Sequence, residues 1–129
     1  MLMSLALLAP VSSFSLGIGS VTLHSGLNQN LNADILLVTS NGENPVDIKA
    51  NLASETKFNE AGLPWTPFLS KINFSTKALP NGSLYITLTT KEAVKEPFLH
   101  FMIEVSGPKS TLYREFTILM DLPTSDNKL

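Results

Sequence analysis

Apolar and polar residues alternate along most of this chain, most clearly over Lys95–Asp121 (KEPFLHFMIEVSGPKSTLYREFTILMD). Two long strands joined by a Gly-Pro turn account for that stretch, and together they predict a hairpin around which the other segments close a core. Its register follows from the pattern. With Ser106 opposite Thr111, residues 107–110 form the loop, and Val105 faces Leu112, Phe101 faces Phe116 and Leu99 faces Ile118. One face is then almost wholly apolar. A slip of one residue would set Glu115 against Phe101 and Thr117 against Leu99, so the first register is preferred. The second face is mixed, with Phe98, His100, Met102 and Glu104 against Tyr113, Glu115, Thr117 and Leu119. Pro97 opens the first strand, where its missing N–H matters least.

The same period continues upstream. Leu16–Ser25 reads as a strand after a Gly17/Gly19 entry, with Val21 and Leu23 alternating with Thr22 and His24. Asn28-Gln29-Asn30 is turn chemistry, Ala33–Thr39 is apolar enough for a central strand, and Asn41-Gly42 marks another turn. Val46, Ile48, Ala50 and Leu52 alternate with polar residues as a half-buried strand. Ser54–Gly62 is the one helical candidate: Ser54 caps it, Phe58 and Ala61 share a face, and Gly62 stops it. Leu63–Phe68 is a Pro-bracketed loop holding the single tryptophan, Trp65. Leu69–Ser75 reads as a strand with Ile72 and Phe74 inward. Pro80-Asn81-Gly82 turns into a further strand on Leu84, Ile86 and Leu88. About seven strands at spacings of about 8–14 residues, without βαβ alternation, predict an all-β, antiparallel, Ig-like sandwich with one short helix.

At 129 residues the chain holds one domain at most. Apolar content of 43% and charged content of 16% place it among globular chains. A net charge of −2 and the lack of any Lys/Arg cluster argue against nucleic acid and an anionic membrane surface as partners. There is no cysteine, hence no disulfide framework. Met1–Ser15 is apolar, uncharged and too short to cross a bilayer, which needs about 20 residues. Its small residues Ser13 and Ser15 precede a cut before Leu16, which fits a signal peptide. Its basic n-region is missing, so the signal is incomplete; the alternative is a first strand or buried helix of the domain. Residues 16–123 form the expected sandwich and 124–129 a disordered tail.

Candidate chemistry is thin. Gly17 and Gly19 precede a strand rather than follow one, and no third glycine completes a dinucleotide fingerprint. Ser54-Glu55-Thr56-Lys57 and Ser125-Asp126-Asn127 match two of the three marks of serine β-lactamases, but the third is absent and the chain is too short for those folds. His24 and His100 lie on separate strands with no third ligand, so no metal site is expected. No nucleophile elbow supports a Ser-His-acid triad. Asn73 and Asn81 head sequons that matter only in a eukaryotic secretory route. Arg114 points toward the apolar face. Either its stem covers the core while its head reaches solvent, or it meets an acid such as Glu104 around a bulge. Trp65 either plugs the sandwich end or is an exposed contact residue. With the plug, the hairpin's second face, through Phe98, His100 and Met102, becomes the contact surface.

Four blocks carry a resemblance: Leu16–Ile35 (LGIGSVTLHSGLNQNLNADI), Asn51–Ser54 (NLAS), Glu96–Val105 (EPFLHFMIEV) and Tyr113–Asp121 (YREFTILMD). In that order they are similar to the N-terminal periplasmic domain of the FimV/HubP family, polar landmark proteins tied to type IV pilus assembly and twitching motility. The resemblance spans nearly all of Leu16–Pro123 and implies export, agreeing with Met1–Ser15. Family members continue into a peptidoglycan-binding LysM module, a transmembrane helix and a cytoplasmic part with tetratricopeptide repeats; only the periplasmic module's role carries over. It implies a periplasmic, non-catalytic domain for cell-envelope organisation, without cofactor or membrane insertion, contacting envelope or pilus-assembly proteins near peptidoglycan. The other reading is a small exported glycan- or ligand-binding sandwich that uses the Trp65 loop.

Overall fold

In a computed structural model of the chain, residues 16–38, 45–80 and 83–121 are described. The expected signal peptide, the Asn41-Gly42 turn, the tip of the Pro80-Asn81-Gly82 turn and the 124–129 tail lie outside them. Seven strands occur among the described residues: β1 Gly17–Leu23, β2 Asn30–Val38, β3 Lys49–Leu52, β4 Asn73–Ala78, β5 Leu84–Ala93, β6 Phe98–Ser106 and β7 Thr111–Leu119. They form two antiparallel sheets, one in the order β1-β2-β5-β4 and one in the order β3-β6-β7. This is the expected all-β sandwich.

The β6–β7 hairpin has the register that hydrophobic patterning selects: Leu99 opposite Ile118, Phe101 opposite Phe116, Val105 opposite Leu112 and Ser106 opposite Thr111. Its inward face supplies the centre of the core. Phe101, Ile103 and Val105 are fully buried, as are Ile35, Ile86 and Leu88 from the facing sheet. The Phe101 and Phe116 rings lie 6.0 Å apart at 30°, an offset-stacked geometry favoured by their quadrupoles. Thr90 is the one polar residue buried among the described residues. Its hydroxyl accepts from Leu31 N–H at 2.8 Å and donates to the Glu92 carbonyl at 2.6 Å, so burial leaves it satisfied.

Helix α1, Glu55–Glu60, begins as the sequence dictates: Ser54 is its N-cap, accepting from Lys57 N–H. Gly62 follows at φ +73°, the left-handed conformation that ends helices and suits glycine. Six residues make a helix too short to stand alone; the completely buried Phe58 ties it to the core.

Three expectations need correction. Val46 does not join a strand; Pro45–Asp47 is a 3₁₀ turn, Val46 is 75% exposed, and β3 begins only at Lys49. Proline fixes its own φ and lacks the N–H a ladder needs, which favours a turn at Pro45. Likewise Pro67–Lys71 is a 3₁₀ turn led by Pro67, and β4 starts at Asn73; Ile72 is buried and Phe74 packs on the core as expected. Arg114 remains exposed, as the first of its two readings has it, but it does not meet Glu104, and β6 pairs with β7 without a bulge. Its guanidinium crosses to β1, donating to the carbonyls of Ile18 and, at 3.4 Å, Gly19. It also lies 5.1 Å from the Phe116 ring centroid, within cation–π range. The register of β1 on β2 slips between Ile18 and Val21. A bulge of that kind frees backbone groups, and Arg114 engages two of them. A side chain at Gly19 would bring its Cβ to 3.1 Å from the Leu36 carbonyl, so glycine there permits the close approach.

Candidate functional site

One end of the sandwich carries an apolar groove of about 520 Å³. One wall is the Pro-bracketed loop, with Pro64, Thr66, Pro67, Phe68 and Leu69. Proline at both ends restricts this loop's backbone. Buried Leu63 and Leu69 pin it on either side, and Leu63 N–H donates to the Phe58 carbonyl at 2.8 Å. Ser70 Oγ closes the 3₁₀ turn onto the Pro67 carbonyl at 2.7 Å. The opposite wall is the β5–β6 connection and the start of β6: Val94, Lys95, Glu96, Phe98, Leu99 and His100.

That connection is held from below. Val94 is buried, its N–H donates to the Gln29 carbonyl and its carbonyl accepts from Asn28 N–H. An ion pair between Lys71 and Glu92, at 2.8 Å, links the two walls near their base; being exposed, it contributes at most about 1 kcal/mol. Phe98 is 54% exposed, and its cross-strand partner Leu119 is 70% exposed. They extend the groove's apolar surface onto the outer face of the hairpin. Lys95, Glu96 and His100 supply the polar rim.

The four residues singled out from sequence therefore occupy different positions. Phe98 and His100 line the groove. Trp65 lies in the loop that forms the other wall, half-buried and packed against the core rather than lining the groove. Met102 shares the outward face of β6 with Phe98 and His100 by alternation, yet it is only 7% exposed. The chain leaving β3 runs beside it, with Ala53 N–H donating to the Met102 carbonyl at 2.9 Å. Beyond that point Lys57 of α1 reaches to 4.8 Å from the ring centroid of Tyr113 on β7. The Trp65 loop and the hairpin's second face, alternatives in the sequence, meet as the two walls of one groove. Sequence reasoning missed Pro64, Phe68 and Val94, which have no signal beyond being apolar until topology brings the β5–β6 connection to the loop.

The groove's lining is mainly apolar, with a polar rim. Among the described residues no three His, Cys, Asp or Glu side chains are grouped to hold a metal ion. Each histidine faces one carboxylate: His24 with Asp34 at 2.8 Å and His100 with Glu115 at 3.4 Å. Ser54, from the β-lactamase-like pattern, is occupied as a helix cap.

Comparison with known proteins decides the family. Residues 16–123 match the family model described as the FimV N-terminal domain, an Ig-like domain. This chain belongs to the FimV N-terminal domain family. It is 37% identical over 108 residues to the motility hub protein FimV of Pseudomonas aeruginosa strain PAO1, and equally to that of strain UCBPP-PA14. The alignment covers 84% of this chain and 12% of each relative. The chain thus spans about an eighth of the FimV proteins it matches. No solved structure matches it. Among the described residues, no helix is long and apolar enough to cross a membrane.

Proposed function

We propose that this FimV-type domain is a non-catalytic periplasmic interaction module serving cell-envelope organisation, type IV pilus assembly and twitching motility. It acts by docking an apolar segment of an envelope or pilus-assembly protein in the groove between the Pro64–Phe68 loop and the start of β6. The observation that carries this reading is the exposed Phe98/Leu119 pair running into a groove whose walls are fixed by buried Leu63, Leu69, Val94 and Leu99. Interfaces draw most of their energy from a few such aromatic anchors in preformed pockets, and a rigid pocket avoids the entropic cost of ordering loops on binding. Membership of a family whose named relatives are motility hub proteins supports the same conclusion.

The test uses the full-length protein in its own bacterium. Phe98→Asp should shrink the twitching zone and abolish photo-crosslinks from a benzoylphenylalanine placed at Leu119, while shifting stability by no more than about 0.5 kcal/mol. Crosslinks to the same protein from a probe at Val46, exposed but remote in sequence, would contradict a groove-specific contact. So would normal twitching by a well-folded Phe98→Asp protein.

A further inference from the structure

The outer face of the four-stranded sheet carries a second hollow, about 360 Å³, lined by Thr22, His24, Asp34, Lys77, Leu79 and Tyr85. None of these residues lines the groove. The ladders bring them together: Thr22 stands opposite Asp34, Asp34 opposite Thr87, and Tyr85 opposite Lys77. Polar residues on the solvent side of an antiparallel sheet are ordinary. Their convergence and fixation here are not.

Asp34 is held from both neighbouring strands. Thr87 Oγ1 donates to Oδ1 at 3.0 Å, and His24 Nε2 lies 2.8 Å from Oδ2. These two contacts set the carboxylate in one orientation and meet it with a histidine. By contrast, the side chains of Lys77, Tyr85 and Thr22 have no hydrogen-bond or ionic partner among the described residues. Their ammonium and hydroxyl groups are left to meet a ligand. The half-buried Tyr85 and the partly exposed Leu79 add apolar surface to the same hollow. Ligand sites combine such apolar lining with a few convergent polar groups.

We infer that this hollow binds an anionic saccharide, a sugar ring bearing a carboxylate. The apolar C–H face of the ring packs on Tyr85 and Leu79. Its hydroxyls exchange hydrogen bonds with Thr22, Tyr85 and the Asp34–His24 pair. Lys77 takes the carboxylate, a charge-assisted contact stronger than a neutral one. A bare inorganic anion would use Lys77 and leave the apolar surface idle; a neutral sugar would leave Lys77 idle.

The test titrates the full chain with trigalacturonic acid, chitotriose and sodium phosphate, following amide shifts by NMR. Trigalacturonic acid should saturate shifts at Thr22, His24, Lys77 and Tyr85, with chitotriose at least about tenfold weaker, the difference one charge-assisted hydrogen bond makes. Lys77→Ala and Tyr85→Ala should each weaken trigalacturonic acid by about tenfold while melting cooperatively. Phe98→Ala should leave this binding unchanged, which separates it from the groove. No saturable binding, equal affinity for chitotriose, the same shifts with phosphate, or full affinity in Lys77→Ala would each overturn the inference.

Discussion

Phe101→Ala should destabilise the domain by about 3–5 kcal/mol, the range for emptying a fully buried phenylalanine site. Phe101 has no exposed surface, stacks on Phe116 and belongs to a strand with a continuous buried row, Leu99, Phe101, Ile103 and Val105. Those neighbours are pinned by the β3–β6 and β6–β7 ladders of one sheet, so they cannot collapse far into the vacated space. Against a total of about 5–15 kcal/mol for a typical domain, such a loss can unfold it. His100→Ala, one position along the strand but on the outward face, should change stability by less than about 1 kcal/mol. Urea denaturation of the two variants distinguishes them. Coinciding midpoints would mean that the hairpin faces the core with its other side.

The second large effect belongs to Phe58→Ala, also expected at about 3–5 kcal/mol. A six-residue helix has little stability of its own, and Phe58 is its one buried side chain. The Phe58 carbonyl also receives Leu63 N–H, which begins the loop forming one groove wall. Releasing the helix should therefore loosen the groove as well as the core. The variant should show increased hydrogen exchange at Leu63 and Leu69, measured under conditions where it remains folded. Unchanged protection there would show that the loop stands without the helix.

The sheets were legible in the sequence wherever one strand face meets the core and the other meets water, because the period of two then specifies both strand and register. The hairpin is the clearest case: its register is confirmed at every pair from Phe98–Leu119 to Ser106–Thr111. The helix was legible from Ser54, Phe58 and Gly62 for an equally local reason. Patterning failed at Val46 and at Leu69, where proline turned apolar residues into 3₁₀ turns. It also failed at Met102, since alternation names the face of a strand but not what later covers it. The groove was half legible. Both walls drew notice as separate apolar surfaces, but their meeting depends on the β5–β6 crossover, which no local signal describes. Arg114 stood out as a charge on an apolar face; its partners lie almost the whole domain away.

That separation affects how the domain folds. The Arg114 contact joins residues 96 apart in sequence, so its loop-closure entropy is met last, after the hairpin and the β4–β5 pair have formed from nearby residues. Contacts made after the transition state resist unfolding without hastening folding. Arg114→Met should leave the refolding limb of a chevron in place and raise the unfolding limb; slowed refolding would mean the contact forms early. A chain that emerges from its N-terminus first would pair β1 with β2 early but leave the bulge unlatched until β7 brings Arg114. The latch of Arg114 on the bulged first strand, rather than the hairpin, then sets how long the finished fold persists.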